Sequence, residues 1–447
     1  MNQSLGIQLP VDARETIDYV EDNVRMQRSI LPGGIRVITE TVPSYRSVSL
    51  GMWIGTGSRD EVEGTFGSTH FLEHLLFKGT AGRSSVEIAE RTDYLGGSFN
   101  AATSKQYTYY YGHVFEEDLD NSIELLMDMV IRASLDEKDM EMERGVILEE
   151  LAMYNDDASE VASEKMPPLV FGDHPLSRPV GGTKESVQAL EHASLVEHYR
   201  KRYTPQELVV AAAGAVDHEK LCERVLYYAH LFGWNVEDGV AAKRSDIGHP
   251  LRAQDGSAQF YERHVEQASV LLSMPGVSLD DGRRSALFSL SMILGGGTSS
   301  RLFQKIREER GLAYTTYAYP ISYREGGMFS LYGACSPENA GEVATLMSQT
   351  LREIATEGIS ADEHESAFRR IRADLVFEGE RISSRMSRLG TADTVRGRYV
   401  TRNQLIEQAR NVTSDNIVEM AKFLIEQPRS LVIVGPDAAR KYIDAEI

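Results

Sequence analysis

Residues 69–78 read Thr-His-Phe-Leu-Glu-His-Leu-Leu-Phe-Lys, and this stretch predicts a short helix around which the chain is organised. In a helix, His70 and His74 lie four residues apart on one face, so both imidazoles can reach one small cation. Glu73 lies beside the same point, where it can act on a water molecule held by that cation. The other side chains are mostly apolar, and burying these polar groups among them is costly unless each has a partner. The pattern favours a metal ion as the partner, with two hydrogen-bonded core histidines as the alternative.

The order His-x-x-Glu-His is that of the inverzincins, and zinc in a hydrolase usually takes three protein ligands. A third ligand must therefore come from elsewhere in the chain. The predicted helix from Asp139 to Tyr154, which we expect to continue toward Glu164, is rich in glutamate. Glu143 and Glu150 share one face of it, whereas Glu149 points about 100° away from Glu150. The spacing alone leaves Glu149 and Glu150 both open as ligands, and a solvated acidic face is the simpler explanation.

Composition narrows the class of protein. A chain of 447 residues favours two domains of about 200 residues each. The formal net charge of −20 argues against a nucleic-acid partner, whose phosphates need a basic surface. The two cysteines, Cys222 and Cys335, provide neither a disulfide framework nor a thiolate zinc cluster. The first 28 residues lack a signal-peptide pattern and no run of ~18 apolar residues occurs, so we expect a cytoplasmic protein with no membrane partner.

The two halves of the chain repeat one pattern, which predicts two copies of one domain. The predicted fold is α+β: two homologous domains, each a mainly antiparallel sheet with helices on one face. The apolar helix of the second half, residues 286–294, has no histidine, so only the first copy is expected to bind the metal. The expected ranges are a loosely packed N-terminal extension (1–28), a metal-binding catalytic domain (29–231), a linker (232–257) and a metal-free domain (258–447).

Several motifs together resemble those of the pitrilysin/insulinase family of inverted-motif zinc peptidases. They are His70–Thr80, Asn100–Ser104, Arg144–Glu150, Gly295–Phe303 and Arg307–Tyr314. From about residue 30 to about residue 437, the chain is similar to the half-length members, which include bacterial processing proteases and the β subunit of the mitochondrial processing peptidase.

This resemblance implies roles for particular residues. By the family match, Glu150 is the third ligand, so that His70, His74 and Glu150 hold one Zn²⁺ per chain. Glu143 then becomes the partner of a ligand histidine. Glu73 matches the general base that activates the zinc-bound water.

The family match extends to substrate binding. Asn100 and Ala101 correspond to an edge strand that binds peptide by adding it as a further strand. Arg307 and Tyr314 correspond to a pair that meets the substrate carbonyl, although ordinary surface packing also explains an arginine and a tyrosine seven residues apart. The glycine run Gly295–Gly297 fits either a mobile loop or a helix cap.

The function implied is that of a zinc metalloendopeptidase that cleaves peptides or unfolded polypeptides inside a chamber. A half-length chain would supply only half of the chamber of the long members, so the resemblance implies a homodimer. The alternative is a non-catalytic structural subunit of a larger assembly. Relatives of that kind typically lose the ligands or the glutamate, whereas this chain keeps all four residues.

Overall fold

The computed structural model describes residues 6–237, 239–244, 251–252 and 254–444. Several positions of the predicted linker 232–257 therefore lie outside the described residues. The chain divides into two compact units, each built from three segments. The first combines the described residues within Met1–Leu151, Arg178–Ile247 and Phe377–Thr401, and the second those within Ala152–Ser177, Gly248–Val376 and Arg402–Ile447.

The strands of the described residues are, in chain order, β1 (Ile7–Gln8), β2 (Ile17–Glu21), β3 (Val24–Ile30), β4 (Arg36–Thr41), β5 (Ser47–Ile54), β6 (Gly79–Thr80), β7 (Arg83–Ser84), β8 (Ser98–Thr103), β9 (Thr108–Phe115), β10 (Leu208–Gly214), β11 (Ala258–Glu262), β12 (Ala268–Gly276), β13 (Ala313–Ser322), β14 (Gly327–Cys335), β15 (Arg398–Tyr399) and β16 (Ser430–Gly435).

The α-helices are α1 (Ser68–Leu75), α2 (Ser85–Tyr94), α3 (Leu119–Arg132), α4 (Glu137–Asp156), α5 (Ala158–Phe171), α6 (Lys184–Ala189), α7 (His192–Arg202), α8 (His218–Leu231), α9 (Arg284–Gly295), α10 (Ala340–Glu357), α11 (Ala361–Glu380), α12 (Ile382–Thr391), α13 (Arg402–Arg410) and α14 (Ser414–Ile425). Among the described residues, none of these helices combines the length and apolar character needed to cross a membrane.

The first unit is built on a seven-stranded sheet in the order β2-β3-β4-β10-β5-β9-β8, in which only β4 and β10 run parallel. Helices α1 and α3 cover one face and α12 covers the other. Strand β10 is buried on both sides because its residues alternate between the two layers. Val210 and Ala212 join the layer that holds α1, whereas Val209 and Ala211 join the layer that holds α12.

The second unit repeats this plan with a five-stranded sheet in the order β11-β16-β12-β14-β13. Only β11 and β16 run parallel. Helices α9, α10 and α14 pack on one face, and α5 packs on the other. The predicted α+β class with two similar, mainly antiparallel sheets is confirmed. The prediction placed helices on one face of each sheet, whereas the structure has a further helix on the other face, α12 in the first unit and α5 in the second.

The helices on these second faces come from exchanged segments. Residues 152–177, with α5, belong to the second unit, and residues 377–401, with α12, belong to the first. The predicted ranges 29–231 and 258–447 therefore differ from the compact units at these two segments. Within the first unit, Glu40 pairs with Arg385 and Arg388 at the buried face under α12. These ion pairs join residues 345 or more positions apart in the chain.

Two local expectations also differ from the structure. Residues 1–28 were expected to be a loosely packed extension. They instead contain β2 and most of β3, two strands of the first sheet, and Arg28 is fully buried against Asp393. The acidic helix was expected to continue toward residue 164, but α4 ends at Asp156. Asp157 begins α5 because its carboxylate accepts the N–H groups of Ser159 and Glu160.

Candidate metal centre

Helix α1 presents its two histidines to the neighbouring helix α4. Its apolar residues Phe71, Leu72 and Leu75 are fully buried, and this burial fixes the opposite face of the helix. The imidazole rings of His70 and His74 then lie with centroids 4.8 Å apart. Glu150 of α4 reaches the same point: its Oε2 lies 3.8 Å from His70 Nε2 and 3.5 Å from His74 Nε2. One ligand atom from each residue lies within 4.8 Å of the others.

These residues fit a zinc ion. Tetrahedral zinc with bonds of about 2.0–2.1 Å places its ligand atoms about 3.3 Å apart, close to the 3.5 and 3.8 Å that separate Glu150 Oε2 from the two imidazole nitrogens. Burial, with the nearby His74, lowers the pKa of His70, so the imidazole is held in the neutral form that binds metal. Two imidazoles and one carboxylate form a hydrolytic zinc donor set. Within the described residues, no second group of three such ligand atoms comes this close together.

Glu143 lies seven residues, or two turns, before Glu150 on the same face of α4, and it orients one of the two histidines. Its Oε2 lies 3.1 Å from His74 Nδ1, which leaves Nε2 of the same ring directed toward Glu150. Lys78 holds the other carboxylate oxygen, with Nζ 2.6 Å from Oε1. A carboxylate on the far nitrogen of a ligand histidine fixes both its tautomer and its orientation. This role of Lys78 was not predicted from the sequence.

We expect Glu143→Gln to weaken zinc binding by about 10- to 100-fold, because the amide accepts the His74 proton poorly and loses the ion pair with Lys78. The matched control is Glu141→Gln, since Glu141 is on the same helix, is exposed and pairs with Arg144. Titration against a chromophoric chelator measures both affinities. Equal zinc affinity for Glu143→Gln and Glu141→Gln would contradict the role of Glu143.

Glu73 lies one residue before His74, and strand β8 holds its carboxylate. Thr103 Oγ1 donates a hydrogen bond of 2.5 Å to Glu73 Oε2, and Thr108 Oγ1 lies 3.5 Å from Thr103 Oγ1. Thr103 is a residue that sequence reasoning did not single out for a role. Its only local signal was strand periodicity, which puts Thr103 and Ala101 on one face of β8.

Asn100 and Ala101 lie on β8, which is the last strand at one edge of the seven-stranded sheet. Asn100 is exposed and Ala101 is buried. The Ala101 N–H donates to Asn100 Oδ1 at 2.8 Å. Helix α1 packs against this strand, so the sheet edge and the histidines belong to one local structure.

Arg307 and Tyr314 contact each other in the second unit. Arg307 Nη1 donates to the Tyr314 carbonyl oxygen at 3.1 Å, and its guanidinium lies 4.2 Å from the centre of the Tyr314 ring. Arg307 sits on a π-helical turn from Phe303 to Glu308, and Tyr314 is 72% exposed. An exposed phenol beside a fixed guanidinium offers two hydrogen-bond donors to a carbonyl oxygen.

The glycine run at the end of α9 packs closely against β13. A Cβ added at Gly295 would lie 2.2 Å from the backbone nitrogen of Ala318, so only glycine fits at this approach. The helix ends at Gly295 with Gly296 as its cap. Of the two interpretations of this run, the geometry agrees with the helix cap.

Comparison with known proteins finds matches over most of the chain. Residues 36–184 match the family described as Insulinase (Peptidase family M16), and residues 189–371 match the Peptidase M16 inactive domain. An uncharacterized zinc protease of Streptomyces coelicolor is 38% identical over 92% of this chain and 90% of its own length. One from Mycobacterium leprae is 39% identical over 94% of each chain, and one from Bacillus subtilis is 31% identical over 92% of this chain and 98% of its own.

Solved structures share the fold. A protease from Helicobacter pylori superposes with a TM-score of 0.85 at 20% identity, covering 92% of this chain and 99% of that one. A Pseudomonas fluorescens structure described as a peptidase M16 inactive domain gives a TM-score of 0.83 at 18% identity, covering 92% and 98%. The sequence motifs, the two similar sheets and these matches lead to one conclusion: the chain belongs to the M16 (insulinase) family of peptidases.

Proposed function

We propose that this protein is a zinc-dependent metalloendopeptidase that cleaves peptides or unfolded polypeptides. The observation that supports this most strongly is the convergence of His70, His74 and Glu150, with Glu73 on the same short helix as the two histidines. The relatives named as zinc proteases agree with the proposal. A structural zinc site would not need a further carboxylate, such as that of Glu73, in addition to its ligands.

The proposed mechanism assigns one task to each residue. A bound zinc ion would supply Lewis acidity and lower the pKa of a water molecule toward neutrality. Glu73 takes the proton from the attacking water and passes it to the leaving amine. Thr103 holds one oxygen of the Glu73 carboxylate in place through its hydrogen bond. Arg307 and Tyr314 would donate hydrogen bonds to the developing oxyanion.

Substrate binding would use the exposed edge of β8. A peptide in extended form pairs its N–H and C=O groups with those of an edge strand, which makes recognition largely independent of side chains. The Asn100 side chain bonds the Ala101 N–H and would have to release it when a substrate strand is added. Such binding suits unfolded polypeptides better than folded proteins.

Removal of the metal tests this proposal. Treatment with a chelator should lower the cleavage rate of a peptide library by about a hundredfold, and added Zn²⁺ should restore it, because water at neutral pH is a poor nucleophile without the ion. Mass spectrometry of the digests identifies the cut bonds. Undiminished cleavage by verified metal-free protein would refute the zinc mechanism. Bound zinc with no cleavage of any peptide would favour the non-catalytic alternative.

We also propose that two chains form a homodimer in which Arg307 and Tyr314 of one chain complete the zinc site of the other. The proposal is supported by the family match and by the location of the pair in the unit that carries no metal ligands among its described residues. A homodimer needs no second gene product and brings two metal-binding units and two metal-free units together.

A mixing experiment tests this arrangement. Glu73→Gln inactivates the site on its own chain, whereas Arg307→Ala weakens the site on the partner chain. After subunit exchange, one site of each mixed dimer carries both changes and the other carries neither. Activity should therefore rise above that of either variant, toward about half of wild type per mixed dimer. No rise, with exchange verified by native mass spectrometry, would mean that the pair does not act across the dimer.

A further inference from the structure

The first turn of the metal-binding helix is held by a glutamate outside it. Glu61 Oε2 accepts the N–H of Gly67, and Oε1 accepts the N–H of Thr69, each at 2.8 Å. The first N–H groups of a helix have no partner within the helix and need acceptors from elsewhere. Gly67, the N-cap of α1, has no side chain to provide one. Glu61 therefore provides both acceptors from six residues earlier in the chain.

The segment that carries Glu61 is fixed at its other end to the turn that follows strand β8. The N–H groups of Ser58 and Arg59 donate to the carbonyl oxygens of Ser104 and Lys105, each at 3.1 Å. The approach is so close that a Cβ added at Gly57 would lie 2.4 Å from the Ser104 oxygen. Ser104 directly follows Thr103, the residue that holds Glu73. Residues 57–61 thus link the turn after the edge strand to the first turn of α1.

The carboxylate of Glu61 is kept in a costly environment. Glu61 is 3% exposed, and burial raises its pKa to about 7 although two N–H groups and Arg178 act in the opposite direction. Arg178 covers the site: its Nη1 donates to the Glu61 carbonyl oxygen at 2.6 Å, and its guanidinium lies 4.8 Å from the centre of the Phe66 ring. A short exposed cap residue would satisfy a helix end at much smaller desolvation cost.

We propose that Glu61 is a positioning residue of the metal centre, which sets where His70 lies relative to Glu150 and to strand β8. Thr69, whose N–H it holds, immediately precedes His70. Helix α1 has only eight residues, too few to keep its shape by backbone hydrogen bonds alone. The position of its first turn therefore depends on groups outside it. This inference rests on the proposed zinc-dependent function and assigns Glu61 no contact with substrate.

The test compares Glu61→Gln with Glu63→Gln. The first variant keeps the size of the side chain but turns an NH₂ group toward one of the two helix N–H donors, so the first turn must shift. The second removes the same charge from an exposed residue of the same loop. We expect Glu61→Gln to bind zinc about 10- to 100-fold more weakly, as for other groups that orient metal ligands. The visible absorption spectrum of its Co²⁺ form should also change, whereas Glu63→Gln should match wild type in both measurements.

The measurements separate positioning from simple stabilisation. Thermal unfolding of the metal-free proteins reports any general loss of stability. If Glu61→Gln unfolds at a lower temperature but keeps the wild-type zinc affinity and Co²⁺ spectrum, the proposal is overturned. If Glu61→Gln does not fold, Glu61→Asp, which keeps the charge but is too short to reach both N–H groups, is judged by the same two readouts. Failure of the wild-type protein to bind zinc would instead refute the proposed function.

Discussion

Glu73→Gln should lower kcat for peptide cleavage by ~10²- to 10⁴-fold while the protein retains its zinc, because the amide can no longer accept the proton of the attacking water. The side chain keeps its size and can still accept the hydrogen bond from Thr103, so the local structure should persist. KM should change little, since Glu73 is not part of the β8 edge that would bind the peptide. Steady-state kinetics and zinc analysis of the same preparation measure all three quantities.

Two controls make this result interpretable. Glu63→Gln removes an exposed carboxylate from the loop before α1 and should leave kcat unchanged. Thr103→Val keeps Glu73 but removes the hydroxyl that orients it, and should lower kcat less than Glu73→Gln does. If Glu73→Gln retained zinc and lost less than about tenfold in kcat, a different group would have to carry the proton.

The elements near the proposed centre were predicted well because their signals are local. Strand β5 spans Ser47–Ile54, a stretch whose apolar and small residues by themselves predict a buried strand. Helix α1 appears where the histidine spacing predicted it. Once this stretch is helical, the four-residue spacing by itself brings the rings of His70 and His74 together.

The exchanged helices could not be predicted in this way. The continuous apolar run of β10 is typical of a strand with both faces covered, but it does not tell which helix covers the second face. That helix is α12, about 170 residues later in the chain, and its position depends on buried partners such as Glu40 with Arg385. Pairings between distant residues leave no periodic signal in the local sequence.

Single polar residues beside the proposed centre were missed for a similar reason. Thr103 and Glu61 act through one or two hydrogen bonds each, and no spacing rule sets them apart from other threonines and glutamates of the chain. The choice between Glu149 and Glu150 had the same character. Spacing left both open, and the family match alone favoured Glu150.

Helix α4 provides a matched pair of variants at these two positions. Glu150→Gln should reduce zinc affinity by more than the ~100-fold that loss of an outer partner costs, because an uncharged amide replaces one of three direct ligands. Glu149→Gln makes the same chemical change one residue earlier. Its side chain is exposed and points about 100° away from that of Glu150, so zinc affinity and activity should match wild type.

The pair of variants distinguishes a ligand from a general acidic field. Both substitutions remove one negative charge from the same helix turn, so a long-range attraction for the cation would weaken by a similar amount in each. Direct ligation would affect Glu150→Gln alone, and added zinc should partly restore its activity because the two histidines remain. Loss of the metal in Glu149→Gln with retention in Glu150→Gln would move the third ligand by one residue. The distances of 3.5 and 3.8 Å from Glu150 Oε2 to the two imidazole nitrogens lead us to expect the opposite result.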